Sequence, residues 1–101
     1  MNARFLPKRR NDGAAMNVVF YGAALDHTGG ETSFVPAGAG DIRALIGEIG
    51  ARYGESFKDA LLDGDSFFML INGKGIMQTG GLDSELHPGD KIEILPFIDA
   101  G

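Results

Sequence analysis

The chain has 101 residues, of which 44% are hydrophobic and 23% charged, the balance of a single globular domain that can bury a core of its own. It contains no cysteine, which excludes disulfides, thiolate-held clusters and thiol nucleophiles. Its net charge of −5 argues against nucleic acid as a partner across the whole surface, and its longest apolar run, Phe67 to Ile71, is far short of the roughly 20 residues of a membrane helix.

The charge is uneven. Residues 1–15 hold Arg4, Lys8, Arg9 and Arg10 against one acid, Asp12, leaving five basic and thirteen acidic residues in the remainder. This basic segment has no apolar periodicity and no stretch suited to a secretory signal, so it reads as a disordered leader. Met16 then opens the domain. Val18-Val19-Phe20-Tyr21 is β-branched and aromatic and predicts a strand buried on both faces. Thr32-Ser33-Phe34-Val35 predicts a second strand, joined to the first as a hairpin. Pro36 and the Ala37-Gly38-Ala39-Gly40 segment break the pattern.

Asp41 stands where a helix N-cap should. Behind it Ile42, Leu45, Ile46, Ile49 and Tyr53 follow one helical face. Gly54 reads as a left-handed stop. Gly50 falls on the apolar face, where it predicts a close approach to a sheet. Ser56 to Leu62 predicts a shorter helix presenting Phe57, Leu61 and Leu62. Phe67 to Ile71 is the next strand, Asn72-Gly73 a tight turn, and Lys74 to Met77 a short return strand. After the His87-Pro88-Gly89-Asp90 turn, Lys91 to Leu95 is the last strand, with Ile92 and Ile94 on one face and Lys91, Glu93 and Leu95 on the other. Pro96 has no N–H and is expected to end that ladder. The first and last strands are the most apolar and belong side by side at the sheet centre. The order predicts an α+β fold with a mixed sheet of four to five strands and one main helix across one face.

Side chains that form catalytic sites elsewhere are scattered here. His27 and His87 lack ligand spacing, and no metal or cofactor site is expected. Ser33, Ser56, Ser66 and Ser84 lack the context of an activated nucleophile. Asp63-Gly64-Asp65 and Gly73-Lys74-Gly75 read as turns, and Glu48, Glu55 and Asp59 as the polar faces of helices. The distinctive feature is the far end. A strong strand is followed by Phe97-Ile98-Asp99-Ala100-Gly101. A terminal carboxylate is ionised at neutral pH, with a pKa of about 3.3–3.7. Glycine, having no Cβ, enters slots closed to other residues.

The stretch Gly80-Gly81-Leu82 through Gly89-Asp90-Lys91-Ile92-Glu93-Ile94-Leu95-Pro96 resembles the C-terminal half of the MoaD/ThiS sulfur-carrier family. Asp41 to Ile46, Arg52-Tyr53-Gly54 and Leu70-Ile71-Asn72-Gly73 extend the resemblance over residues 16–101. The length from Met16 and the segment Glu55–Ser66 are most similar to the molybdopterin synthase small subunit. The resemblance implies a ubiquitin-like β-grasp domain over 16–96 with a flexible tail over 97–101. It implies a carrier, not an enzyme in its own right, whose terminal Gly101 is adenylated and converted to a thiocarboxylate. The implied partners are an E1-like adenylating enzyme and a larger molybdopterin synthase subunit. Phe97, Ile98, Asp99 and Ala100 would be the inserted tail, with Leu95 and Pro96 docking on the partner. Self-association of the free chain at high concentration and a cytoplasmic location are further expectations. The family ends in Gly-Gly, whereas Ala100 precedes the last glycine here, and Asp99 adds a charge. That departure keeps two other readings open: a β-grasp interaction module without chemistry, and a modifier joined to lysines through Gly101.

Overall fold

The computed structural model describes residues 15–97. Five strands form one mixed sheet in the order β2-β1-β5-β3-β4. They are β1 (Asn17–Phe20), β2 (Ser33–Phe34), β3 (Phe67–Ile71), β4 (Lys74–Gly75) and β5 (Lys91–Pro96). Strand β5 is central, parallel to β1 with Val18 opposite Ile92, and antiparallel to β3 with Met69 opposite Ile94. Three helices accompany the sheet: α1 (Ala24–Thr28), α2 (Ile42–Tyr53) and α3 (Glu55–Asp63). This is the expected α+β grasp, with α2 as the main helix. Among the described residues no helix is long and apolar enough to cross a membrane.

The core lies between α2 and one face of the sheet. Val18, Phe20, Ile92 and Ile94 of the two neighbouring strands are buried, and so are Ile42, Leu45, Ile46 and Ile49 of α2. In β1 burial alternates, because Asn17 and Val19 on the opposite face are only half-buried. The sheet is therefore covered on one side, and the prediction that β1 is buried on both faces is corrected. Phe20 meets Tyr53 edge-on at 5.5 Å and Phe57 at 5.9 Å between ring centroids, an arrangement that adds specific contact energy to burial.

The helix signals read as expected at the start of α2, where the Asp41 carboxylate accepts the Ala44 N–H at 2.8 Å. At its end Gly54 adopts φ 110°, ψ 163°. This is a glycine-only extended conformation and not the expected left-handed stop, because the chain must turn straight into α3. Gly50 approaches α3 and not the sheet: a Cβ there would lie 2.8 Å from Lys58 Cδ and 2.9 Å from Lys58 Cβ. Between β1 and β2 the expected hairpin turn is replaced by α1. The two strands still pair antiparallel, Val18 with Phe34. Leu62 of α3 is exposed, while Phe57 and Leu61 are buried. The return strand is only Lys74–Gly75, after which Ile76–Gln78 forms a 3₁₀ turn.

Candidate functional site

The exit of β5 is where the sequence places the functional segment. Pro96 belongs to the strand, opposite Phe67. Its missing N–H costs no bond. The series that includes the Tyr21 N–H to Ile94 carbonyl would next run from residue 96 to the Tyr21 carbonyl, and that carbonyl already accepts the Ala24 N–H of α1. The β3 side continues one step further, with Phe97 N–H donating to the Ser66 carbonyl at 3.2 Å. The Phe97 ring lies 5.2 Å from that of Phe68 and is 52% exposed. The last described residue is thus both tethered and presented to solvent. Ile98, Asp99, Ala100 and Gly101 lie outside the described residues.

Leu95 and Pro96 are half-buried. Leu95 sits opposite Phe68 on the sheet face away from α2, which also bears Val19 and Leu70. In the middle of that face is Glu93. It accepts the Tyr21 O–H at 2.9 Å and lies 3.6 Å from Lys91 Nζ. The Glu93 carboxylate holds the Tyr21 hydroxyl protonated above its ordinary range, first by that hydrogen bond, then by desolvation and charge. The open face thus mixes apolar Val19, Phe68, Leu70 and Leu95 with Asn17 and the Lys91–Glu93 pair, a composition suited to contact with another protein.

Two depressions flank Phe97. One, of about 700 Å³, is lined by residues of α1, the loop before β3, and Pro96 and Phe97. The other, of about 130 Å³, lies among Leu61, Phe67, Phe68, Met69, Met77 and Phe97. His27, expected to be a loop residue, lies in the last turn of α1 and flat on Phe57 at 4.6 Å between ring centroids and 7° between planes.

The motifs Asn72-Gly73 and Gly89-Asp90 meet at the opposite end of the sheet. Asp90 is buried and accepts Asn72 Nδ2 at 2.9 Å and the His87 N–H at 2.8 Å. Asn72 Oδ1 accepts the Lys91 N–H at 3.0 Å, and the Asn72 N–H donates to the Lys91 carbonyl at 2.8 Å. Asn72 at φ 51° and Gly73 at φ 87° make the type I′ turn that a two-residue hairpin favours. This constellation is a structural clamp that ties the start of β5 to the end of β3. Ser84 is likewise structural: its buried hydroxyl is 2.7 Å from the Thr79 hydroxyl.

Sequence reasoning missed two further side-chain roles. Glu48, read as a plain polar position, accepts the Ala37 and Gly38 N–H groups at 2.6 and 3.1 Å and pins that loop to α2. Glu31 accepts the Tyr53 O–H at 2.6 Å and Arg52 Nη2 at 3.0 Å. These two bonds hold its carboxyl below the usual range, the tyrosine contributing most. Among the described residues no three His, Asp or Glu side chains gather as a metal-binding group.

A family model described as the ThiS family matches residues 18–101. The chain belongs to the ThiS family. Among solved structures, this ThiS-family chain is similar to one in the Amycolatopsis orientalis BexX/CysO complex, at 26% identity and a TM-score of 0.73, covering 86% of this chain and 100% of that one. Urm1 from Trypanosoma brucei shares 21% identity at a TM-score of 0.69, over 87% of this chain and 96% of its own. Small archaeal modifier protein 1 from Methanosarcina acetivorans shares 23% identity at 0.70, over 87% and 97%. The latter two likenesses support the ubiquitin-like β-grasp fold. No curated protein sequence matches the ThiS-family chain.

Proposed function

We propose that the chain carries sulfur on the carboxyl group of Gly101 for molybdopterin synthesis. The observation that carries this reading is the family match running from β1 to Gly101, on a fold whose central strand leads directly into that segment. A carboxylate oxygen attacks the α-phosphorus of ATP on an E1-like enzyme and pyrophosphate leaves. A sulfide equivalent then attacks the acyl carbon and AMP leaves, giving a thiocarboxylate. Four residues follow Phe97, and fully extended they reach at most about 14 Å. Docking must therefore bring the β5 exit close to the partner's reaction centre. Leu95, Pro96 and Phe97 are positioned for that contact, and Ile98, Asp99 and Ala100 are the segment that enters. In this reading the chain performs no chemistry alone, and dependence on an ATP-using partner favours a cytoplasmic location.

The molybdopterin assignment draws on α3, which occupies the segment that resembles the molybdopterin synthase small subunit. Ala100 in place of glycine favours one second reading, an interaction module whose end is no longer processed. Incubation of the full chain with an E1-like adenylating enzyme from the same organism, ATP and a sulfur donor separates the two. A mass increase of one sulfur-for-oxygen exchange, mapped to Gly101, supports the carrier. An unchanged mass with an enzyme active on its other substrate overturns it. Addition of a large molybdopterin synthase subunit and the pterin precursor then tests the pathway, with return of the chain to its original mass as the expected result.

A further inference from the structure

The larger depression beside Phe97 has a definite chemical character. Asp26 reaches it from α1 and Asp65 from the loop before β3, and both residues are exposed. No lysine or arginine lines it. Among the described residues neither carboxylate forms an ion pair. Three of its nine lining residues are aromatic, His27, Phe67 and Phe97, beside Ala23, Ala60, Ser66 and Pro96. His27 is held flat against Phe57 and edge-on to Phe67 at 5.7 Å, and the Phe97 ring is more than half exposed. The cavity, about 700 Å³, is larger than one side chain needs, so an incoming residue keeps some hydration. Two carboxylates beside π faces complement a flat cation. Guanidinium fits this better than ammonium, because it pairs with carboxylates in its plane and stacks through its faces.

We propose that this groove receives an arginine side chain of the protein that handles the C-terminal segment, stacked on Phe97 and paired with Asp26 and Asp65. The nature of that protein rests on the sulfur-carrier reading; the arginine preference rests on the groove. The arginine would fix the β5 exit against the partner, at the point where the remaining reach to Gly101 is shortest.

The test is a titration of the isotope-labelled full chain with N-acetyl-arginine amide, followed by amide chemical shifts. The neutral citrulline analogue is the control. The expected result is a saturable response confined to residues 23–27, 65–67 and Phe97, weak with citrulline and lost in the Asp26→Asn/Asp65→Asn double variant. An equal response around the acids Asp41, Asp83 and Glu85, or an equal response to citrulline, overturns the proposal. A second readout uses the adenylating enzyme. The double variant should raise the carrier concentration at half-maximal rate by about three- to tenfold, as expected for two exposed ion pairs, with the maximal rate kept. An unchanged half-saturation counts against the groove. If the unaltered chain takes no sulfur, the functional reading fails, and the arginine titration still decides the groove.

Discussion

Asp90 and Asn72 show what a motif does when its members are followed into the fold. In the sequence they belong to two turns eighteen positions apart. In the structure each satisfies the other's polar groups, and Asp90 is 8% exposed. Replacing Asp90 with Ala leaves Asn72 Nδ2 and the His87 N–H without their acceptor, at an expected cost of about 2–3 kcal/mol in urea unfolding. Asn72→Gly keeps the positive φ and removes only the side-chain bonds, so about 1 kcal/mol should be lost. Because the two share a bond, the double variant should lose less than the sum, by about 1 kcal/mol; strict additivity would refute the clamp. Glu31 sets a pH dependence. Its carboxyl is held below the ordinary range by the Tyr53 hydroxyl and then Arg52. A depressed carboxyl contributes stability above its unfolded-state pKa of about 4.3, and that contribution disappears as pH falls through the folded value. Glu31→Gln should therefore unfold with a flatter acid-side decline than the unaltered chain, below about pH 5. A parallel decline of the two urea midpoints would show that the Tyr53–Arg52 cluster contributes nothing.

Helix α2 carries two interior glycines, Gly47 and Gly50, of which the sequence marks only Gly50 for close packing. Nothing lies within 4 Å of a Cβ built on Gly47, whereas one on Gly50 would collide with the Lys58 stem at Cβ as well as Cδ. Gly47→Ala should gain about 0.5–1 kcal/mol from helix propensity. Gly50→Ala gains the same propensity, but it must push α3 away, which costs about 1–3 kcal/mol, so a net loss is expected. Thermal unfolding of both variants checks the contrast, and equal shifts would rule out the close packing of α2 on α3. This explains how legible each element was. Strand β3 declares itself as an unbroken apolar run ending at an Asn-Gly turn, and helix α2 because its apolar residues recur at the helical period. Helix α1 does not, because five residues, Ala24–Thr28, are too few to display one, and their burial against β5 and Phe57 is set by distant parts of the chain. The glycine at position 50 signals close packing, yet its partner, Lys58, lies on another helix and leaves no local trace. The site divides in the same way. Leu95, Pro96 and Phe97 are marked by the end of a strong strand, but the groove walls come from α1 and the loop before β3.

Across the described residues the sheet grades from a strong centre to short edges, and β5, which precedes the proposed carrier segment, is at the centre. Strand β5 is bonded to β1 on one side and β3 on the other, whereas the edge strands β2 and β4 are two residues each. A partner that draws the C-terminal segment into a channel pulls along β5. A strand paired on both sides opens only with the rest of the core, so such a pull should be borne without local unfolding. Native-state hydrogen exchange measures this directly. The amides of Ile92, Glu93 and Ile94 should exchange with the free energy of global unfolding, with a denaturant dependence equal to that of the whole domain. The amides of β2 and β4 should exchange through local opening, at free energies several kcal/mol lower, with almost no denaturant dependence. Phe97, held to Ser66 by one bond at the end of the ladder, should behave like the edges. If Ile92–Ile94 instead exchange by local opening, β5 is no rigid anchor, and the partner could unravel the strand to gain reach beyond the four residues after Phe97.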